Sequence, residues 1–113
     1  MQEFIDSFID HLMVQLGYSQ NTLSAYRNDL GQFAEYLTAA GWLRWAQVTE
    51  NTIAGYLLQL RDKEYSSSTV ARKTAAIKRF FRYLASEGLV SENPALQVGT
   101  PKVAKKIPRT LGI

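Results

Sequence analysis

Apolar residues recur along most of the chain at spacings of three and four, the period of an amphipathic α-helix. From Phe4 they fall at positions 4, 5, 8, 9, 12, 13 and 16, and Gly17 suits a C-cap. A second stripe follows Ser19, a candidate N-cap, and closes at Gly41. The members of this stripe are Leu23, Tyr26, Leu30, Phe33 and Leu37. The pattern predicts two long helices with a very short connection.

Further helices are predicted in the second half of the chain. Thr49 is a candidate N-cap for a third helix, and the serines at 66–68 are candidate caps for a fourth over residues 69–87. Residues 42–47 break the period and predict a loop whose indoles cover the edge of the core. Asn93 followed by Pro94 predicts a short fifth helix over residues 94–98. No stretch alternates with period two, so we predict an all-α fold, a compact bundle of four to five helices.

The length of 113 residues fits a single domain. Because Gly99 and Pro101 break structure, we expect residues 1–98 to form one helical domain and residues 99–113 a basic linker. Cysteine is absent, which excludes disulfides and thiolate zinc sites and favours a reducing cytoplasm. No apolar run approaches the roughly 18 residues of a membrane span. We therefore expect a cytoplasmic protein with no membrane partner.

Charge is distributed unevenly along the chain. The net charge is +3, but residues 1–71 carry an excess of acids, about −4, whereas residues 72–113 carry an excess of bases, about +7. This asymmetry favours a polyanionic partner, although a solvated lysine-rich surface is the plainer alternative.

A helical projection of the fourth helix separates an apolar face from a basic face. The apolar face centres on Val70, with Phe80 at its margin. The opposite face holds three arginines with no acid between them, and two lysines lie nearer its sides: Arg72, Arg79, Arg82, Lys73 and Lys78. Because guanidinium groups bind phosphate through two hydrogen bonds, this face predicts contacts with phosphate.

Short polar side chains lie near the starts of the second and fourth helices. In the fourth helix these are Ser68 and Thr69, beside the positive end of the helix dipole. In the second helix, the surface away from the apolar stripe carries Asn21, Thr22, Ser24, Arg27 and Asn28. Two such helix starts are typical of a reader of the DNA major groove, although helix capping explains each single side chain more simply.

Patterns of catalytic or metal-binding residues are missing from the sequence. His11 lies beside core positions of the first helix, and the acids are scattered singly, so neither a metal nor a cofactor is expected. Phosphate-binding glycine loops and nucleophile elbows do not occur. Tyr26, Tyr56 and Tyr83 fall on or near apolar stripes, which favours core packing over nucleophilic catalysis. These observations indicate a binding module.

The stretch at 19–30, SQNTLSAYRNDL, resembles the second-helix signature S-x-x-T-x-x-x-Y-x-x-D-L of Xer-type tyrosine recombinases of the phage integrase family. Residues 48–57 and 66–84 are similar to that family's third and fourth helices, and residues 87–95 to the turn that follows. Residues 105–111 resemble its basic linker toward the catalytic domain. The resemblance covers essentially the whole chain, in order.

The resemblance implies the N-terminal core-binding domain, a SAM-like helical bundle whose second and fourth helices approach the major groove of duplex DNA. It implies DNA contacts from eight residues: Asn21, Thr22, Ser24, Asn28, Ser68, Thr69, Arg72 and Arg79. The charge pattern adds seven more: Arg27, Lys73, Lys78, Arg82, Lys105, Lys106 and Arg109. Thr52 departs from the family, which commonly has an acidic capping residue at that position.

The family's catalytic residues belong to a second domain, and no H-x-x-R motif occurs here. We therefore expect this chain not to be an enzyme, but the DNA-binding part of a recombinase; a natural stand-alone homologue is the alternative. The resemblance implies three kinds of partner: double-stranded DNA, the parent's C-terminal catalytic domain, and other recombinase protomers in a tetramer on DNA. Alone, the chain is expected to be a monomer in solution.

The expected function is clamping of duplex DNA at a recombination half-site, for DNA integration or recombination and with chromosome dimer resolution as one form of it. The alternative is a helical protein–protein interaction module without DNA binding, which contacts its partner through Trp42 and Trp45. The sequence leaves open the target site and whether the parent is a chromosomal resolvase, a phage integrase or a transposon recombinase. It also leaves open which contacts reach bases and which reach phosphates.

Overall fold

Four α-helices and one 3₁₀ turn make up the described part of the chain. The computed structural model describes residues 2–41, 44–96 and 98. The α-helices are α1 (Gln2–Leu16), α2 (Gln20–Ala39), α3 (Glu50–Asp62) and α4 (Ser67–Ser86), and the 3₁₀ turn (Trp45–Gln47) lies between α2 and α3. These residues contain no strand, and the predicted all-α class is confirmed.

Hydroxyl side chains cap the starts of α2, α3 and α4. The hydroxyls of Ser19 and Ser66 each accept a hydrogen bond from the backbone N–H three residues later, at 3.3 and 3.2 Å. Thr49 and Thr52 form a reciprocal capping box, in which each side chain accepts from the backbone N–H of the other. Thr52 therefore completes the cap of α3 with a hydroxyl where an acid is common in the family.

The four helices bury their apolar stripes in one core. Helix α1 packs on α2, and α4 contacts α1, α2 and α3. Phe33, Phe80 and Phe81 are fully buried, and the indole of Trp45 packs against all three rings. Phe80, predicted at the margin of the core, lies inside it because Trp45 covers it from the 3₁₀ turn, with the ring centres 4.7 Å apart.

Two sequence predictions are wrong in these regions. Residues 94–96 form a turn instead of the predicted fifth helix; the Asn93 side chain caps this turn by accepting from the Ala95 N–H at 2.9 Å. So short a segment makes too few hydrogen bonds to offset the cost of helix nucleation. Trp45 is only 2% exposed, so its indole belongs to the core and offers no contact surface. Trp42, its predicted companion, lies outside the described residues.

No helix in the described ranges is both long and apolar enough to cross a lipid bilayer. The predicted linker, residues 99–113, lies outside the described residues, and with it Lys105, Lys106 and Arg109.

Candidate nucleic-acid interface

An ion cluster joins α2 to α4 near their N-terminal halves. Asp29 of α2 is only 2% exposed, and its carboxylate accepts hydrogen bonds from two consecutive residues of α4. Arg72 donates through Nε and Nη2, at 3.0 and 2.9 Å, and Lys73 donates through Nζ at 2.9 Å. The cluster therefore fixes the position of α4 against α2.

Lys73 lies inside the molecule, and its predicted position at the side of the basic face is wrong. Its side chain is 2% exposed, and its ammonium donates to Asp29 and to Oε1 of Gln32 at 2.5 Å. The same ammonium lies 5.5 Å from the centre of the Tyr65 ring. A projection of α4 alone could not place Lys73 inside, because the acid that makes its burial tolerable belongs to another helix.

The carboxylate of Asp29 stays ionised near neutral pH. Burial alone would raise its pKa, but the hydrogen bonds from Arg72 and Lys73 outweigh burial and hold the pKa below its ordinary value. The hydrogen bond to Asp29 in turn raises the pKa of Arg72. Because two cations share one anion, the cluster retains one positive charge in excess.

Arg72, Arg79 and Arg82 are exposed on one face of α4, as the projection predicts, and we call them the arginine stripe. The three differ in their partners. Arg79 donates through Nη1 to the hydroxyl of Tyr18 at 2.7 Å, whereas Arg82 has no hydrogen bond or ion pair with a described residue. Only Arg72 is held by an acid, and α4 itself contains no acid.

A cleft of about 420 Å³ separates the N-terminal halves of α2 and α4. Asn21 and Thr22 of α2 line it together with Arg72 of α4. Ala25 and Ala75 also line it, and their short side chains leave room beside the guanidinium of Arg72. The structure thus brings three of the predicted DNA-contacting residues to one place.

The model of the phage integrase N-terminal SAM-like domain matches residues 5–88, which include most of α1 and all of α2, α3 and α4. The chain belongs to this family. Curated relatives of the chain include tyrosine recombinases named XerC and XerD. Tyrosine recombinase XerC of Roseiflexus castenholzii is 40% identical over 111 residues, which cover 98% of this chain and 35% of the relative. Tyrosine recombinase XerD of Listeria innocua is 36% identical over 114 residues, which cover 100% of this chain and 38% of the relative.

A third relative, Tyrosine recombinase XerC of Herpetosiphon aurantiacus, is 36% identical over 113 residues, which cover 100% of this chain and 37% of the relative. This integrase-type SAM-like domain therefore spans little more than a third of the length of the curated relatives it matches.

Two predicted residues of this SAM-like domain lie away from the cleft, on the side of α2 that faces α1. Ser24 and Arg27 line a depression there together with residues of α1. The Arg27 guanidinium donates to Asp6 at 2.8 Å, and both side chains are about half exposed. Hydrogen bonds from Gln2 and Arg27 lower the pKa of Asp6. The charge of Arg27 is therefore already matched on the α1 side.

The remaining predicted residues occupy three different environments. Asn28 is exposed on α2. The ammonium of Lys78 donates to the carbonyl oxygen of Val98 at 2.9 Å, toward the C-terminal turn. The hydroxyls of Ser68 and Thr69 lie within hydrogen-bonding distance of the Ser66 hydroxyl, at 3.3 and 2.9 Å, so capping accounts for their positions.

Asp29, the residue that organises this surface of the SAM-like domain, was not among the functional residues predicted from the sequence. Asp29 follows Tyr26 by three positions and precedes Phe33 by four, so it lies on the apolar stripe of α2. An acid on a buried stripe requires a cationic partner from elsewhere in the fold. That signal was present in the sequence and predicts an ion pair, although not the identity of the partner.

Proposed function

We propose that this chain is the core-binding domain of a tyrosine recombinase and that it grips duplex DNA at a recombination half-site through α2 and α4. The arginine stripe carries the proposal, because three exposed guanidinium groups share one face of a helix that contains no acid. Mutual repulsion along such a face is relieved by a polyanion, and duplex DNA offers phosphates at regular spacing. Membership of the integrase SAM-like family supports the same assignment.

The candidate residues divide into phosphate contacts and base contacts. Arg79 and Arg82 are suited to phosphate, since neither is paired with an acid among the described residues. Asn21 and Thr22, beside the cleft, have short side chains with the donors and acceptors that base edges require. The backbone around Ser68 and Thr69, at the N-terminal end of α4, suits a phosphate.

The other predicted contacts contribute less to DNA binding or nothing. Ser24 and Arg27 lie on the α1 side, and the ammonium of Lys78 already donates to a carbonyl oxygen. We therefore place these three residues, together with the exposed Asn28, at the edge of the proposed DNA interface. Lys73 is left out because it is buried. Three of the four bases within residues 99–113 contribute further phosphate contacts: Lys105, Lys106 and Arg109.

The proposal extends to the parent protein, because the chain matches about a third of each relative. Strand cleavage belongs to a catalytic domain outside this chain, and protomers assemble as a tetramer on DNA in the cytoplasm. Both XerC and XerD relatives match at similar identity. The assignment is therefore to DNA recombination, of which chromosome dimer resolution is one form.

The slope of log K against log salt concentration tests the phosphate contacts. Replacing Arg79 and Arg82 with alanine should flatten this slope by about 1.8, because each phosphate contact contributes about 0.9. The matched control replaces Arg61 and Lys63, two exposed bases at the end of α3, with alanine and loses the same charge. This control should keep the wild-type slope.

Two results would contradict the proposal. An equal loss of slope in both double variants would show that net charge alone governs binding. Failure of the wild-type chain to bind any duplex at low salt would favour a helical protein-interaction module instead.

A further inference from the structure

Arg72 differs from the other two members of the arginine stripe in how its guanidinium is held. A guanidinium has five N–H groups in one plane. Asp29 accepts one from Nε and one from Nη2, so three remain, and they have no partner among the described residues. Two of the three, one on Nη1 and one on Nη2, point in the same direction along the outer edge of the group. Arg72 therefore presents a pair of parallel donors.

The carboxylate that holds Arg72 is itself fixed. Asp29 is 2% exposed, and the buried ammonium of Lys73 donates to the same carboxylate oxygen as Nη2 of Arg72. The side chain of Arg72 remains 53% exposed. A long side chain loses conformational freedom when it binds, and one that is already held at its base loses less. The donor pair of Arg72 is therefore oriented before any ligand arrives.

The surroundings of the donor pair favour a base edge over a phosphate. Arg72 borders the cleft between α2 and α4, beside Asn21 and Thr22 and near the short side chain of Ala75. Asp29, which Lys73 also contacts, offsets part of the positive charge of Arg72, whereas no acid pairs with Arg79 or Arg82 in the described part of the chain. Two parallel donors match the O6 and N7 acceptors of guanine in the major groove.

We propose that Arg72 is a specificity-determining residue that reads the edge of a guanine in the major groove of duplex DNA. Asp29 is the positioning residue that holds its guanidinium for this contact. The assignment rests on the DNA binding proposed above and separates Arg72 from Arg79 and Arg82, which anchor phosphates.

Selection from a pool of duplexes, randomised over about ten base pairs or one helical turn, tests the base contact. The wild-type chain should prefer guanine at one position by about 10- to 100-fold. Arg72→Lys keeps the charge but lacks the planar pair of donors, so the preference should disappear while the salt slope stays unchanged. The matched control, Arg82→Lys, should keep the guanine preference.

Asp29→Asn tests the positioning role. A carboxylate is charged and offers two acceptor oxygens, whereas an amide is neutral and offers only one, so it cannot hold Nε and Nη2 of Arg72 in the same way. The guanine preference should fall while the salt slope stays near that of the wild type. If this variant does not fold, the Arg72→Lys result decides the proposal.

Alanine variants separate a base contact from a phosphate contact. If Arg72 reads a base, replacing Arg72, Arg79 and Arg82 together should flatten the salt slope by about 1.8, as for the Arg79 and Arg82 pair alone. A flattening of about 2.7 would overturn the assignment, since Arg72 would then be a third phosphate contact. Retention of the guanine preference by Arg72→Lys, or its absence in the wild type, would also overturn it. Absence of any duplex binding would instead contradict the proposed DNA-binding function, and this result differs from all those that test Arg72.

Discussion

Replacing Asp29 with leucine should destabilise the domain strongly. The carboxylate and the ammonium of Lys73 are each 2% exposed and lie 2.9 Å apart. Without Asp29, the buried ammonium keeps Gln32 as its hydrogen-bond partner and the Tyr65 ring nearby, but no anion. Removing one partner of a buried ion pair in this way costs about 3–5 kcal/mol.

That cost is a large fraction of the stability of a domain of this size, which is typically about 5–15 kcal/mol. Each kcal/mol lowers Tm by about 4 °C in a domain of roughly 100 residues, so Asp29→Leu should lower Tm by about 12–20 °C. Arg72 also loses its partner, but its side chain is 53% exposed. Water can solvate its guanidinium, so this loss adds little.

Urea unfolding followed by far-ultraviolet circular dichroism measures the effect. The double variant Asp29→Leu and Lys73→Met should recover most of the lost stability, because both buried charges are then gone. Asp6→Leu, which breaks the exposed pair with Arg27, is the control and should change the urea midpoint little. A double variant as unstable as Asp29→Leu alone would refute the role of the unpaired ammonium.

Two further predictions concern buried ionisable groups. The pKa of Asp29 is lower in the folded state than in the unfolded state, where it is about 3.9. The ionised carboxylate therefore contributes fully to stability above about pH 3.9, and this contribution is lost as the pH falls through the folded-state pKa. Urea midpoints between about pH 5 and pH 2 should therefore fall less steeply in the Asp29→Leu and Lys73→Met double variant than in the wild type; equal slopes would contradict this. The Tyr56 hydroxyl is buried and has no hydrogen-bond partner among the described residues, so Tyr56→Phe should keep or raise the free energy of unfolding, by up to about 1 kcal/mol. Burial also raises the pKa of Tyr56, so its hydroxyl should stay protonated in a spectrophotometric titration until the chain unfolds. A clear loss of stability in Tyr56→Phe would reveal a partner for its hydroxyl.

The four α-helices and most of their ends were predictable because their signals lie close together in the sequence. The caps Ser19 and Thr49 stand where the sequence predicts them, and Ser66 is one of the three serines predicted as candidate caps, so α4 begins two residues before its predicted start. Each cap acts on a backbone group three residues away. The exposed arginine stripe followed from the period of α4 alone. Local chemistry and a single helical period are sufficient for both results.

Features that depend on two distant segments could not be predicted in the same way. Lys73 is basic and was expected near the surface, but Asp29, 44 positions earlier, makes its burial tolerable. Phe80 was expected at the margin of the core, but it is buried because Trp45 of the 3₁₀ turn covers it. Periodicity describes one helix at a time, so it cannot identify the partner that another segment supplies.

The ion cluster between α2 and α4 makes better sense as a positioning device than as a source of stability. Apolar side chains in place of a buried ion pair are often neutral or stabilising, so packing alone does not require Asp29 and Lys73. A carboxylate that must accept from two residues of α4, however, is satisfied in only one arrangement of the two helices, and Arg72 is held in the same arrangement. The Asp29→Leu and Lys73→Met variant separates the two roles: we expect it to recover stability yet lose the guanine preference, because Arg72 then has nothing to hold it. Recovery of both would mean that the position of Arg72 is set by the packing of α2 against α4 and not by the carboxylate.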